Sequence, residues 1–211
     1  MQLKRSTIRR GASTVALVLA IPATVAARSA ANPALPLDKS AAPPSYRFRL
    51  DVAMSMRHFP WLHFHMQGDG VYQPGETYVV HFTKVPWFIP QAHHDCDLAM
   101  LDPLMWPKRF LYESIGQRNG DTLFALHAID DPGLRDATVA LAPDGSARWL
   151  DATYSDGTHV QTQLTSSNVD GFMLPVSMNA SIDEPHLTLS ANAAFTNYDF
   201  QSVAASPGTS R

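Results

Sequence analysis

Cysteine is almost absent from this sequence, because Cys96 is the only one among 211 residues. A single thiol cannot form an internal disulfide, and it cannot supply the separated cysteine pairs of a structural zinc site. The fold must therefore be held together by the packing of its apolar side chains.

The signatures of several enzyme classes are also missing. The sequence has no G-x-S-x-G elbow, no phosphate-binding glycine loop, no dinucleotide fingerprint and no H-E-x-x-H pair. Cys96 stands beside His94, but a catalytic thiol needs a base oriented by a third group, a geometry that neighbours in sequence seldom reach. The acidic pairs Asp130-Asp131 and Asp183-Glu184 adjoin prolines, so turns explain them. We predict a protein without catalytic residues and without a cofactor.

Long apolar runs are confined to the N-terminus, where an uncharged stretch covers residues 11–27. It follows the basic residues Lys4, Arg5, Arg9 and Arg10, and it ends in the small residues Val25-Ala26-Ala27. This pattern is typical of a signal peptide cleaved near Ala27, so we expect a periplasmic protein. A transmembrane anchor is the alternative, but the run is short and broken by Pro22. The pair Arg9-Arg10 leaves the choice between general and twin-arginine export open.

Basic side chains are scarce after the predicted cleavage site. Removal of residues 1–27 takes away four of the sixteen lysines and arginines and none of the nineteen acidic residues, which leaves twelve against nineteen. The mature chain would thus carry a net charge near −7. Because an acidic surface repels phosphate backbones, nucleic acid is not expected as a partner.

Two further segments show no regular recurrence of apolar residues. Residues 28–45 are rich in alanine and proline and predict an extended linker, and residues 201–211 are small and polar and predict a disordered tail. Residues 46–200 are expected to form a single domain.

Alternation of apolar and polar residues dominates that domain. From Tyr46 to Met56 every second residue is apolar, which predicts a strand with one apolar face. A second strand is predicted from Trp61 to Tyr72, with a bulge or bend at Gly68-Asp69-Gly70. The turn Gln73-Pro74-Gly75-Glu76 then leads into a third strand.

Turn signals recur at short intervals in the second half of the chain, at residues 118–121, 131–133, 143–146, 155–158, 170–171 and 183–185. Asn-Gly and Asp-Gly pairs favour tight hairpins, so these strands should pair with their sequence neighbours in an up-and-down meander. We predict about ten antiparallel strands with few short helices, in a sheet that curls into a half-barrel.

One stretch, Val85 to Phe110, does not show the pattern of a strand, and we interpret it as a lid over the half-barrel. Leu98, Leu101, Leu104 and Met105 have helical spacing, although Pro103 limits them to a short or broken helix. The segment His93-His94-Asp95-Cys96-Asp97, with His63, His65 and His81 nearby, contains metal-capable side chains. Five contiguous residues cannot all reach one ion, so we predict a polar connector and no metal site.

The order of these features resembles a known family. An exported chain opens with the alternating strand Tyr46 to Met56 and continues with Gly68-Asp69-Gly70-Val71-Tyr72 and, after Pro86, an apolar insert ending in Asp102-Pro103-Leu104-Met105-Trp106. It closes with Tyr154-Ser155-Asp156-Gly157-Thr158 and Gly171-Phe172-Met173-Leu174-Pro175. This is similar to the LolA-like superfamily of periplasmic lipoprotein carriers and related lipid-binding or sensor proteins. In the carriers an arginine holds the lid closed. No motif matches that arginine to a position in this sequence.

The resemblance implies a half-barrel that holds acyl chains in a hydrophobic cavity, without catalytic residues. We therefore expect a binding protein for a lipid, a lipoprotein acyl chain or another apolar ligand. We also expect a monomer, with a membrane-bound donor or acceptor protein as a further partner. We expect the cavity to be lined by apolar residues of the first two strands, namely Phe48, Leu50, Val52, Met54, Met56, Leu62, Phe64 and Met66. The lid should contribute Trp87, Phe88, Leu101, Leu104, Met105 and Trp106. The alternatives are a sensor that docks a partner or membrane through Trp87-Phe88-Ile89, and a small metal-dependent enzyme.

Overall fold

A computed structural model describes residues 42–87 and 94–200, apart from the side chain of Pro60. The predicted signal peptide and tail, Phe88, His93 and most of the predicted linker lie outside these residues. The elements, in chain order, are β1 (Tyr46–Met56), β2 (Phe59–Gln73), β3 (Thr77–Lys84), β4 (Asp95–Asp97), a 3-10 helix (Ala99–Leu101), α1 (Trp106–Arg109), β5 (Phe110–Arg118), β6 (Asp121–Ala128), β7 (Leu134–Leu141), β8 (Ala147–Tyr154), β9 (His159–Val169), β10 (Phe172–Glu184) and β11 (Leu187–Asp199).

All eleven strands form one antiparallel sheet in the order β4-β3-β2-β1-β11-β10-β9-β8-β7-β6-β5. The sheet is open and curled, so the predicted half-barrel is confirmed, with eleven strands where about ten were expected. The predicted meander is also confirmed, because each strand from β5 to β10 pairs with the next strand in sequence. The pairing of β1 with β11 joins the first strands to the last. No helix in the described part of the chain is long and apolar enough to cross a membrane.

The alternation of apolar and polar residues in β1 explains how the sheet buries its concave face. Tyr46, Phe48, Leu50 and Val52 are buried, whereas Arg47 between them is exposed. Register continues this face across neighbouring strands, since Val52 lies opposite both Met66 of β2 and Ala193 of β11. The main hydrophobic core therefore lies on the concave side of the sheet.

The turns follow from local chemistry. Asn119-Gly120 and Asp170-Gly171 both have positive φ at each residue, which is the geometry that two-residue hairpins need. The turn that contains Asp131 is closed by its carboxylate, which accepts a hydrogen bond of 2.8 Å from the backbone N–H of Gly133. The predicted turns at these positions are confirmed.

The stretch from Val85 to Phe110 was wrongly predicted to contain no strand. Residues Asp95–Asp97 form β4, which pairs with Val79, Val80 and His81 of β3. A strand of three residues is too short for a period-two pattern to show in the sequence, so only its pairing with β3 reveals it. The expected short or broken helix is confirmed, because Pro103 separates two short helices.

Candidate functional site

The segment from Leu98 to Arg109 connects β4 to β5 and covers the concave face of the sheet. Trp106 has an exposed fraction of 0% and Met105 of 1%, so both are core residues. The Trp106 ring packs against the rings of Tyr112 and Phe124 at centroid distances of 5.8 and 5.3 Å. We call residues 98–109 the covering segment.

Hydrogen bonds hold the covering segment to the turn between β2 and β3. The Asp102 carboxylate accepts bonds from the backbone N–H groups of Leu104, at 3.0 Å, and Gly75, at 3.4 Å. It also accepts a bond from the Tyr72 hydroxyl. The Lys108 ammonium donates to the Gly75 carbonyl at 2.8 Å. The segment is thus fixed at both of its helices by the same turn.

A pocket of about 410 Å³ opens beside Asp102, and we call it the Asp102 pocket. A volume in this range is typical of small-molecule sites. One side is formed by strands β1 to β3 and the covering segment, and the other by the β7–β8 turn and strands β9 and β10. The lining residues with the largest side chains are Tyr46, Tyr72, Tyr78, Leu101, Leu104, Leu164, Phe172, Met173 and Leu174.

Buried hydroxyl groups are the main polar feature of this pocket. Tyr46 and Tyr78 share a hydrogen bond between their hydroxyl groups, and burial raises the pKa of both. Burial also raises the pKa of Tyr72, and the negative charge of Asp102 adds to that shift. Burial raises the pKa of Asp102, opposed by the bonds from Leu104, Gly75 and Tyr72. The tyrosines therefore stay neutral over the physiological pH range and remain hydrogen-bonding groups.

A second pocket of about 570 Å³ lies beside Asp97, and its lining is more highly charged. Arg109 forms an ion pair with Asp97, and Glu76, Asp130 and Lys108 also line this space. Cys96 lies next to Asp97 in β4, and burial together with the charge of Asp97 raises the pKa of its thiol to about 11. Such a thiol is poorly suited to nucleophilic chemistry at neutral pH.

The predicted cavity residues of β1 and β2, apart from Leu62, lie on one face of the sheet. Phe48, Leu50 and Val52 are 3%, 1% and 6% exposed and belong to the packed core. Partly buried side chains continue this face toward the β1–β2 turn: Met54, Met56, Phe64 and Met66. Leu62 is 41% exposed and lies in the unpaired segment between Phe59 and His63.

The predicted lid residues divide into three groups. Leu101 and Leu104 line the Asp102 pocket, whereas Met105 and Trp106 are buried in the core. Trp87 is 95% exposed, and Phe88 lies outside the described residues.

The histidine-rich segment takes part in polar contacts within its own region. His81 Nδ1 lies 2.7 Å from the Asp95 carboxylate, and Asp97 accepts a bond of 2.8 Å from the Ala99 N–H. Across residues 42–87 and 94–200, no three histidine, cysteine or acidic side chains come together as a possible metal-ligand set.

Sequence reasoning missed the polar part of the Asp102 pocket. The sequence pattern places Tyr46, Tyr72 and Tyr78 in predicted strands and Asp102 in the predicted lid, but it does not indicate that they form one site. The register Tyr46–Tyr72–Tyr78 could have signalled a tyrosine row, since the β1–β2 and β2–β3 hairpins place these residues opposite one another. Nothing local indicates that this row lines one pocket together with Phe172 and Met173.

No protein-family model and no curated protein sequence matches the chain. A DUF1329 family protein from Desulfovibrio piger superimposes with a TM-score of 0.58 at 8% identity, over 78% of this chain and 88% of the other.

Two further solved structures are similar. A LolA superfamily protein from Nitrosomonas europaea matches with a TM-score of 0.53 at 9% identity, over 78% of this chain and 88% of the other. A domain from Vibrio parahaemolyticus, assigned to outer membrane lipoprotein sorting, matches with a TM-score of 0.50 at 9% identity, over 75% and 86% of the two chains. Identities this low carry no information on ligands, but the agreement in architecture over most of each chain shows that this protein has a LolA-like fold.

Proposed function

We propose that this protein is a periplasmic binding or carrier protein for a lipid or another ligand with an apolar chain, and that the ligand occupies the Asp102 pocket. The observation that carries the proposal is the pocket itself, a cleft that lies between two parts of the curled sheet and the covering segment and is partly open to solvent. Its apolar lining includes Leu101, Leu104, Phe172 and Met173. Removing apolar surface from water stabilises such a complex by about 25 cal/mol per Å².

The predicted cavity residues Met54, Met56, Phe64 and Met66 do not line this pocket. They offer a separate, partly exposed apolar surface at the other end of β1, beyond the buried Phe48, Leu50 and Val52. Methionine side chains adapt to apolar groups of different shape, which suits a carrier of flexible chains. We further propose that the protein acts as a monomer and exchanges its ligand with a membrane-bound partner.

Leu104→Glu is expected to weaken binding of the uncharged apolar dye Nile red by about tenfold or more. Leu104 lines the Asp102 pocket, and a carboxylate at this position would have to be desolvated when the dye binds. Fluorescence titration of the mature protein with the dye measures the change. Leu111→Glu is the matched control, because Leu111 is 60% exposed on β5 and does not line the pocket.

A second variant separates this proposal from docking of a partner or membrane through an exposed apolar tip. That alternative is favoured by the 95% exposure of Trp87. If Trp87→Ala abolishes dye binding and Leu104→Glu leaves it intact, the dye binds at the tip and the pocket proposal is wrong.

A further inference from the structure

The charged side chains that line the Asp102 pocket are all acidic. Asp102 and Asp144 line it from opposite sides, and no lysine, arginine or histidine is found among its described lining residues. The polar group of a ligand that enters this pocket is therefore close to two carboxyl groups.

Asp102 is an unusual carboxylate because it is buried without a cation. Its exposed fraction is 6%, and its hydrogen-bond donors are the backbone N–H groups of Leu104 and Gly75 and the Tyr72 hydroxyl. Within the described part of the chain it forms no ion pair. Buried charges in proteins are usually paired, since taking an unpaired charge out of water is costly. Burial without a cation raises the pKa of Asp102, and a positively charged ligand group would supply the partner that favours its ionised form.

Asp144 reinforces this preference from the β7–β8 turn. Its carboxylate accepts bonds from the Ser146 hydroxyl at 2.6 Å and the Ser146 N–H at 3.0 Å. Arg148 is close enough to favour the charged form of Asp144, but it is not a lining residue. Asp144 thus presents an ionised group to the pocket.

Phe172 provides a second means of binding a cation. It is the partly exposed aromatic ring of the pocket lining, and aromatic rings attract ammonium groups through their quadrupoles. Tyr46, Tyr72 and Tyr78 also line the pocket, but they are only 2–4% exposed and pack on one another, with Tyr46 stacked on Tyr72 at a centroid distance of 4.7 Å and Tyr78 edge-on to Tyr72 at 5.2 Å. Their hydroxyl oxygens can accept hydrogen bonds from an ammonium group.

We propose that the ligand of the Asp102 pocket is a cationic amphiphile, in which an amine or ammonium group pairs with Asp102 and an apolar chain lies against Leu101, Leu104 and Met173. This inference rests on the proposed function, and it restricts the ligand class by charge. Anionic amphiphiles, such as fatty acid anions, are disfavoured at this site by both carboxylates.

The test compares dodecylammonium, dodecanol and dodecanoate, which share one chain and differ in the charge of the polar group. Each is titrated below its micelle-forming concentration against the mature protein with bound Nile red. We expect dodecylammonium to displace the dye at a concentration about tenfold lower than dodecanoate, which corresponds to about 1.4 kcal/mol, with dodecanol in between. Asp102→Asn should bring the affinities of dodecylammonium and dodecanoate within about threefold of one another, and Asp144→Asn should cause a smaller change in the same direction.

The possible results separate this inference from the proposed function. Equal or tighter binding of dodecanoate by the wild-type protein would show that the charge preference is wrong, while apolar binding would stand. Failure of all three compounds to displace the dye would overturn both. If Asp102→Asn does not fold, the wild-type comparison and Asp144→Asn still decide the question.

Discussion

Gly70→Ala is expected to lower the free energy of unfolding by about 1–3 kcal/mol, the usual cost of overpacking a core. A Cβ atom at this position of β2 would lie 2.1 Å from Cζ of Phe48 and 2.3 Å from its Cε1. Phe48 cannot easily move aside, because it is 3% exposed and its ring packs against Phe195 at 5.6 Å and Tyr78 at 5.9 Å. Urea denaturation monitored by circular dichroism measures the loss.

Two comparisons show whether the clash with Phe48 is the cause. Asp69→Ala changes the neighbouring exposed residue of the same strand and should alter stability by no more than about 0.5 kcal/mol. Adding Gly70→Ala to a Phe48→Leu variant should cost much less than adding it to the wild type, since leucine leaves room for the new methyl group. An unchanged cost in that background would contradict the packing described for β1 and β2.

Trp106→Ala is expected to destabilise the protein by about 3–5 kcal/mol, the range found for truncation of large buried aromatic residues. Trp106 is fully buried between the covering segment and the sheet, and its Nε1 donates to the Met100 carbonyl at 3.1 Å. Its removal leaves a cavity beside Tyr112 and Phe124 and an unpaired carbonyl at Met100. The free energy of unfolding from chemical denaturation gives the size of the effect.

Trp87→Ala is the matched control for this experiment, since Trp87 is 95% exposed. Its removal should change the free energy of unfolding by no more than about 0.5 kcal/mol. If both tryptophan variants were equally stable, the covering segment would not be part of the core.

The features that could be predicted from sequence are those set by local pattern. The strand from Tyr46 to Met56 was visible because its buried side chains recur at every second residue. Turns such as Asn119-Gly120 were visible because only a few residue types tolerate positive φ at both positions. From the number and spacing of such signals, a curled antiparallel sheet could be inferred.

The features that could not be predicted depend on contacts between distant parts of the chain. The strand Asp95–Asp97 exists only through its pairing with β3. Trp106 belongs to the predicted lid, but an apolar residue beside a short or broken helix does not reveal whether it covers a cavity or fills the core. The Asp102 pocket depends on the approach of Tyr46 and Met173, which belong to strands far apart in sequence.

The central claim, that an apolar chain binds in the Asp102 pocket, is tested most directly by NMR spectra of isotope-labelled methionine methyl groups. Methionines report on each part of the molecule: Met173 lines the pocket, Met105 lies in the packed core, and Met54, Met56 and Met66 lie along the concave face. During titration with dodecanol, we predict that the Met173 methyl signal shifts and saturates while the Met105 signal changes least. An unchanged Met173 signal at saturating dodecanol would contradict the proposed site.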